Sequence, residues 1–341
     1  MRKYYHHNHP LKLETGTTLP ELTIAYHTFG KMNADRSNVV WVMHALTADS
    51  NVADWWPHTV EKGRFLDPDK WFVVCANVLG SCYGTTGPTS INPQNGTQYL
   101  GDFPDVTVRD MVNCHRLLAK HLGIDKINTI VGSSLGGFQA IEWLVSEPEI
   151  AGRAILIATD YRCRPWLAAI NKAMYMAIEA DQTYGTRSTS AGAKGLAAAR
   201  AIGLLSYRGQ AAYDKTQEDK EPHAIFNRRV HGYQEHQGEK LCNRFDAYSY
   251  TKMCRSTDSH DVGRGRSSYE EALRRIRAKC MVVAISSDIL FPPSYHKEMT
   301  EMIPNAEYKE IDSEYAHDGF LIEYEKLDKI ISDFYSHSTI D

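Results

Sequence analysis

No pair of cysteines in this chain is spaced as CxxC. The seven present, Cys75, Cys82, Cys114, Cys163, Cys242, Cys254 and Cys280, are scattered and odd in number. That distribution argues against a disulfide framework and against a zinc knuckle. No window approaches the run of about eighteen apolar residues that a membrane span needs, and no long block of one charge sign occurs. With 38 Lys and Arg against 42 Asp and Glu, the net charge of -4 leaves no electrostatic footprint for nucleic acid, so small-molecule partners are expected. A Walker-type phosphate loop is missing, as is any metal-ligand spacing, so neither a permanently bound cofactor nor a metal is expected. The opening residues MRKYYHHNHP carry positive charge with no apolar stretch behind it, unlike a secretory leader, and a cytoplasmic location is the expectation. His6, His7 and His9 in that segment read as solvated side chains, not ligands.

What is present is ordinary globular text: 341 residues, 43% apolar and 23% charged, enough for a sizeable core. Short β-branched and aromatic runs bounded by turn residues appear at Leu22–Phe29, Val39–Met43, Trp71–Asn77, Ile127–Gly132, Ala154–Thr159, Met281–Ser286 and Glu307–Ile311. Most are continuously apolar, as buried parallel strands are. Helical periodicity lies between them at Val106–Leu122 and Gly136–Ser146, and again from Tyr324 onward. This alternation predicts an α/β fold with a mostly parallel, doubly wound sheet. From about Cys163 to Lys279 strand text stops and a helical, polar stretch takes over, with one helix opened by Pro165 and another over Gly195–Arg208. The expected organisation is a core in two parts, residues 1–162 and 280–341, interrupted by a helical lid at 163–279.

The chemistry starts at Gly132-Ser133-Ser134-Leu135-Gly136, a G-x-S-x-G pattern with a strand before it and a helix after it. A serine at a sharp strand-to-helix turn holds its hydroxyl above the sheet edge, and the frame names Ser134, not Ser133, as nucleophile. The helix N-terminus behind it aims backbone N–H groups at any oxyanion formed there, beginning with Leu135. A second donor is expected from the loop after Val39–Met43, at Leu46. His44 in that loop reads as a structural hydrogen-bonding residue.

A serine hydroxyl needs a base, and the base an orienting carboxylate, in the chain order Ser, acid, His. Asp288 leaves the end of the strand Met281–Ser286, and His317 sits in the loop after the last strand. Asp312 and Asp318 are the alternative acids.

Several further blocks stand out: Ala25-Tyr26-His27-Thr28-Phe29-Gly30, His44-Ala45-Leu46-Thr47, the stretches Asn77 to Pro93 and Phe103 to Met111, and Gln139-Ala140-Ile141-Glu142-Trp143. With Ala199-Arg200, Asp288 to Pro293 and His317-Asp318 they resemble the homoserine O-acetyltransferase family, a branch of the α/β-hydrolase fold that makes O-acetylhomoserine on the route to methionine. The resemblance covers most of the chain and is thinnest over Gln210–Ser268. It implies a ping-pong reaction in which acetyl-CoA acylates Ser134, CoA leaves, and the homoserine hydroxyl attacks with His317 as base. It also implies that Arg200, Tyr207 and Asp318 bind the acceptor, and that the chain forms a homodimer through the lid. An amino-acid acceptor presents a carboxylate and an ammonium, so a cation and an anion must stand near the acyl serine, and Arg200 and Asp318 fit. Arg200 and Tyr207, seven apart, share a helix face with Gly203 and Leu204. Thr47 is expected to line the same pocket.

The sequence departs from the family pattern at the elbow, where Ser133, Leu135 and Phe138 replace a glycine and two methionines, and near Trp55-Trp56, where a Gly-Pro-Gly turn is absent. Donor and acceptor therefore stay open, with serine in place of homoserine and succinyl in place of acetyl as alternatives. Two further readings are an esterase or thioesterase on the same triad, and a catalytically silent binding module.

Overall fold

Strand Val39–Met43 shows how the sheet is built. Val39, Trp41 and Met43 pack into one buried apolar cluster, and Val40 and Val42 into a second on the opposite face. That is the two-residue period of a strand covered on both sides. The computed structural model describes residues 1–221, 223 and 225–337; residues 222 and 224 of the expected lid and 338–341 of the expected closing segment lie outside the described residues.

Eight strands make the main sheet: β1 Lys3–His7, β2 Leu22–Phe29, β3 Val39–Met43, β4 Phe72–Ala76, β5 Ile127–Ser133, β6 Ala151–Ile157, β7 Lys279–Ile285 and β8 Ala306–Ile311. They run across the sheet in the order β1-β2-β4-β3-β5-β6-β7-β8. β2 pairs antiparallel with both β1 and β4. From β4 onward every neighbouring pair is parallel. The chain order reverses around β3 and β5, and in open α/β sheets ligands bind outside the carboxyl ends of the strands at such a switch point.

Helices α1 Val108–His121 and α2 Leu135–Ser146 pack against one another, and α1 starts two residues later than its periodicity predicts. Thr107 is the reason: its side chain and that of Asp110 close a capping box around the first turn. After β6 come α3 Pro165–Glu179, α4 Ala193–Tyr207, α5 Gln210–Gln217, α6 Arg229–Cys242 and α7 Ala247–Asp258. Helix α8 Pro293–Met302 links β7 to β8, and α9 Tyr324–Ser336 covers the second face of the sheet with Leu327, Ile331 and Phe334. No helix among the described residues is long and apolar enough to cross a membrane.

The helical insertion is pinned where it leaves and rejoins the core. Cys163 N–H donates to His260 O at 2.8 Å and Val262 N–H to Tyr161 O at 3.3 Å. Glu142 of α2, buried, accepts from Arg109 at 3.1 Å and from Arg266 at 2.7 Å, while Glu14 takes Arg109 at 2.9 Å and Arg264 at 2.8 Å. Buried ions hold their place only when paired, so this network ties the elbow helix, the N-terminal segment and the end of the insertion together.

Candidate active site

Ser134 sits between β5 and α2 with φ 53° and ψ -124°, a left-handed conformation that a non-glycine residue keeps only when its surroundings force it. What forces it is the approach of the helix start to β3. A Cβ on Gly136 would lie 2.0 Å from the carbonyl oxygen of Met43, so no side chain fits there. From the other side Thr159, just beyond β6, donates its hydroxyl to Ser134 O at 2.9 Å and its N–H to His296 Nε2 at 3.0 Å. Burial lowers the His296 pKa to about 4 and keeps it a neutral acceptor.

The carboxyl ends of β7 and β8 deliver the other two groups. His317 Nε2 faces Ser134 Oγ at 3.0 Å, and His317 Nδ1–H donates to Asp288 Oδ2 at 2.8 Å. Asp288 Oδ1 accepts the N–H groups of Leu290 and Phe291 at 2.7 and 3.0 Å, so both carboxylate oxygens are engaged and the group is aimed. Both residues are buried, which strengthens each interaction in the relay. The alternative acids are committed elsewhere: Asp312 accepts from Ser286 Oγ and Asp318 from Arg208.

A cavity of about 100 Å³ opens over Ser134. Leu46, Thr47, Ser134, Leu135, Arg200, Tyr207, His317 and Asp318 all line it, so every candidate except the buried Asp288 meets in one place. Neither the N–H of Leu46 nor that of Leu135 has a partner among the described residues, the condition for an oxyanion hole. His44 holds the Leu46 loop: its Nδ1 lies 2.8 Å from Ala45 O, and its Nε2 accepts Val78 N–H at 3.2 Å.

Arg200 and Tyr207 do turn inward from α4. The Arg200 guanidinium lies 5.7 Å from the centre of the Tyr207 ring, and no carboxylate pairs with it among the described residues. Gly203 makes room for that ring, since a Cβ there would come within 3.0 Å of both Tyr207 and Met174. Burial pushes the Tyr207 phenol up to about 12. Asp318, across the cavity, is shifted upward by burial, against the pull of Arg208, His317 and Arg200.

The elbow departures are absorbed by packing. Phe138 is fully buried, stacks on His260 at 4.0 Å and meets Phe291 edge-on at 5.7 Å, and Phe291 lies 5.4 Å from the His317 ring. The Ser133 hydroxyl is buried with no partner among the described residues. Three residues that matter here were not singled out from sequence: Thr159, His296 and Arg208. Only their three-dimensional neighbours identify them.

Known proteins agree with this geometry. A family profile described as alpha/beta hydrolase fold matches residues 38–324. A homoserine O-acetyltransferase from Cyclobacterium marinum is 44% identical over 95% of this chain and 92% of its own length. The crystal structure of homoserine O-acetyltransferase from Bacillus anthracis superposes with a TM-score of 0.91 at 25% identity, covering 100% of this chain and 98% of that one. An acetylester hydrolase from Corynebacterium glutamicum shares the fold, with a TM-score of 0.87 at 22% identity over 98% of this chain and 96% of that one. Carrying a serine elbow in this setting, and alike over nearly its full length, the chain belongs to the homoserine O-acetyltransferase family of α/β-hydrolase-fold enzymes.

Proposed function

We propose that this enzyme moves an acetyl group from acetyl-CoA to the hydroxyl of L-homoserine through an acyl-Ser134 intermediate. The observation that carries the reading is a cation, Arg200, with no carboxylate partner among the described residues, and an anion, Asp318, in the same cavity as Ser134. An amino-acid acceptor presents the complementary carboxylate and ammonium, which water does not.

In the first half-reaction His317 Nε2 takes the Ser134 hydroxyl proton as Oγ bonds to the thioester carbonyl carbon. The N–H groups of Leu46 and Leu135 receive the oxyanion. Collapse breaks the carbon–sulfur bond, and the imidazolium returns its proton to the departing thiolate. In the second half-reaction the homoserine hydroxyl gives its proton to His317 and attacks the acyl carbon. Ser134 Oγ then leaves and recovers the proton. Asp288 holds the imidazole tautomer and stabilises its charged form. Arg200 and Tyr207 hold the acceptor carboxylate, Asp318 holds the ammonium, and Thr47 lines the wall. Acetyl-CoA is a substrate here, and the chemistry calls on no metal or resident cofactor.

In this reading residues 163–279 are the lid between the core segments 1–162 and 280–341, and it keeps water from the acyl-enzyme. The enzyme works in the cytoplasm as a homodimer through the lid, where Trp166, Met176 and Leu205 are half or more exposed. Light scattering tests the dimer.

Release of CoA thiol from acetyl-CoA tests the reaction, with L-homoserine, with L-serine and with no acceptor, alongside Ser134→Ala. Strong acceleration by homoserine and a dead variant support it. Equal release without acceptor identifies a hydrolase. Release only from succinyl-CoA moves the donor.

A further inference from the structure

Arg208 is the C-cap of α4, next to Tyr207, yet it does not line the nucleophile cavity. It stands behind Asp318. Its Nε donates to Asp318 Oδ2 at 3.1 Å, and its guanidinium lies 5.4 Å from the centre of the Tyr233 ring on α6. On its far side is a smaller cavity walled by Tyr213, Tyr233 and Tyr315.

Asp318 begins the short helix Gly319–Ile322, where a carboxylate ordinarily caps the first free N–H groups. It makes no such bond. Its Oδ1 has no partner among the described residues, while Oδ2 is taken by Arg208.

We propose that Arg208 is a positioning residue for acceptor recognition: by fixing one oxygen of Asp318 through Nε, it presents the other to the ammonium of the incoming amino acid. The assignment rests on the acyltransferase reading above and adds to it the residue that sets preference for an α-amino acceptor. Arg208 touches no substrate. A single Nε contact from a guanidinium immobilised over an aromatic face fixes the carboxylate plane while leaving one oxygen free, which a flexible ammonium does less well. It also favours the ionised carboxylate against burial. The groups facing Asp318 are Arg208, Arg200 and His317, with the phenols of Tyr207, Tyr213 and Tyr233 beyond them.

The test compares wild type, Arg208→Met and Arg208→Lys in the full-length enzyme. Three readouts are needed: acylation by acetyl-CoA without acceptor, KM and kcat for L-homoserine, and the rate with 4-hydroxybutanoate, which keeps the hydroxyl and carboxylate but lacks the amine. Arg208→Met is expected to acylate normally and to raise KM for homoserine about tenfold or more, the size of a lost hydrogen bond to a charged group. Its kcat moves little and its rate with 4-hydroxybutanoate stays the same, so the preference for homoserine collapses. Arg208→Lys restores part of it. The acid limb of kcat/KM for homoserine moves to higher pH in Arg208→Met, because Asp318 without its cation protonates sooner as pH falls.

Equal loss on both acceptors overturns the proposal, because Arg208 would then bind the shared carboxylate. So does loss of acylation together with a lowered melting temperature, which marks a structural role. If wild-type turnover is indifferent to homoserine, the acyltransferase reading and this assignment fall together. If wild type responds and the preference of Arg208→Met is intact, only this assignment falls.

Discussion

The hydroxyl of Thr159 donates to the backbone carbonyl of Ser134 at 2.9 Å, joining the end of one strand to the strained residue at the end of its neighbour. This bond crosses from β6 to β5 and is anchored in turn by His296. Replacing Thr159 with valine keeps the β-branch and deletes only the donor. Stability is expected to fall by about 0.5–1.5 kcal/mol, the net worth of one hydrogen bond, since Ser134 O keeps the N–H groups of Gly137 and Phe138 at 2.9 and 3.3 Å. Acylation is expected to slow about tenfold as the nucleophile loses its fixed placement. Urea midpoints and single-turnover CoA release measure the two effects, and an undiminished acylation rate would show that the elbow holds its shape without Thr159.

Asp288→Asn leaves the size of the side chain unchanged but turns a pure acceptor into a group that can donate. His317 Nδ1–H then has a poorer partner, and the tautomer with Nε2 ready to accept from Ser134 is no longer enforced. A loss of about 10⁴ in kcat is expected with the fold intact. If Asp312 or Asp318 were the true orienting acid, the loss would be far smaller, and a steady-state assay decides between them.

Arg200 tests the acceptor carboxylate site. Arg200→Met is expected to raise KM for L-homoserine by about tenfold to a hundredfold, the cost of leaving a carboxylate with no charged partner in a partly dry cavity. Arg200→Lys recovers little of this, because a point charge cannot reproduce the guanidinium fork. Acylation by acetyl-CoA should be indifferent to both changes, and a matching loss in acylation would move Arg200 from acceptor to donor recognition.

Acid stability carries a second signature. Burial lowers the His115 pKa from 6.5 to about 4, with its Nε2 bonded to Gln139 Oε1 at 2.8 Å. The unfolded imidazole takes up a proton that the folded one refuses. Its contribution is therefore complete above about pH 6.5 and is lost as pH falls from there toward 4, by up to about 1.4 kcal/mol per pH unit for one proton. Buried carboxylates shifted the other way, such as Asp160 at about 6, oppose that trend, so the whole-protein curve mixes signs. His115→Gln isolates one term: its urea midpoint should fall less steeply between about pH 6.5 and about pH 4.5 than that of wild type. Parallel curves would mean that His115 is protonated in the folded state.

Much of the core was legible because buried parallel strands are written as continuous apolar runs. Leu22–Phe29 and Val39–Met43 match their predicted bounds residue for residue. The candidate nucleophile and acid were legible for a related reason, since Ser134 and Asp288 follow the ends of such strands, whereas His317 was picked out by its place after the last strand, Ala306–Ile311, which is largely polar. β1 escaped notice because Lys3-Tyr4-Tyr5-His6-His7 is an edge strand with one partner and no aliphatic side chain. α8 was not singled out, and it opens on Pro292 and Pro293, the cap and first residue of the helix. Arg208 lay beyond sequence reasoning altogether. Its partner is 110 residues away, and a lone arginine at a helix end carries no pattern.

The cavity that holds Ser134 also holds Arg200 and Asp318, and this sharing sets a rule of traffic. In the ping-pong reaction proposed above the acyl donor and the amino acid converge on the same serine, so whichever arrives first obstructs the other until CoA has departed. An acceptor waiting on the free enzyme is therefore a blockade, not a head start. On that reading excess homoserine is expected to slow the enzyme by standing where the thioester must go, and added acetyl-CoA to relieve it.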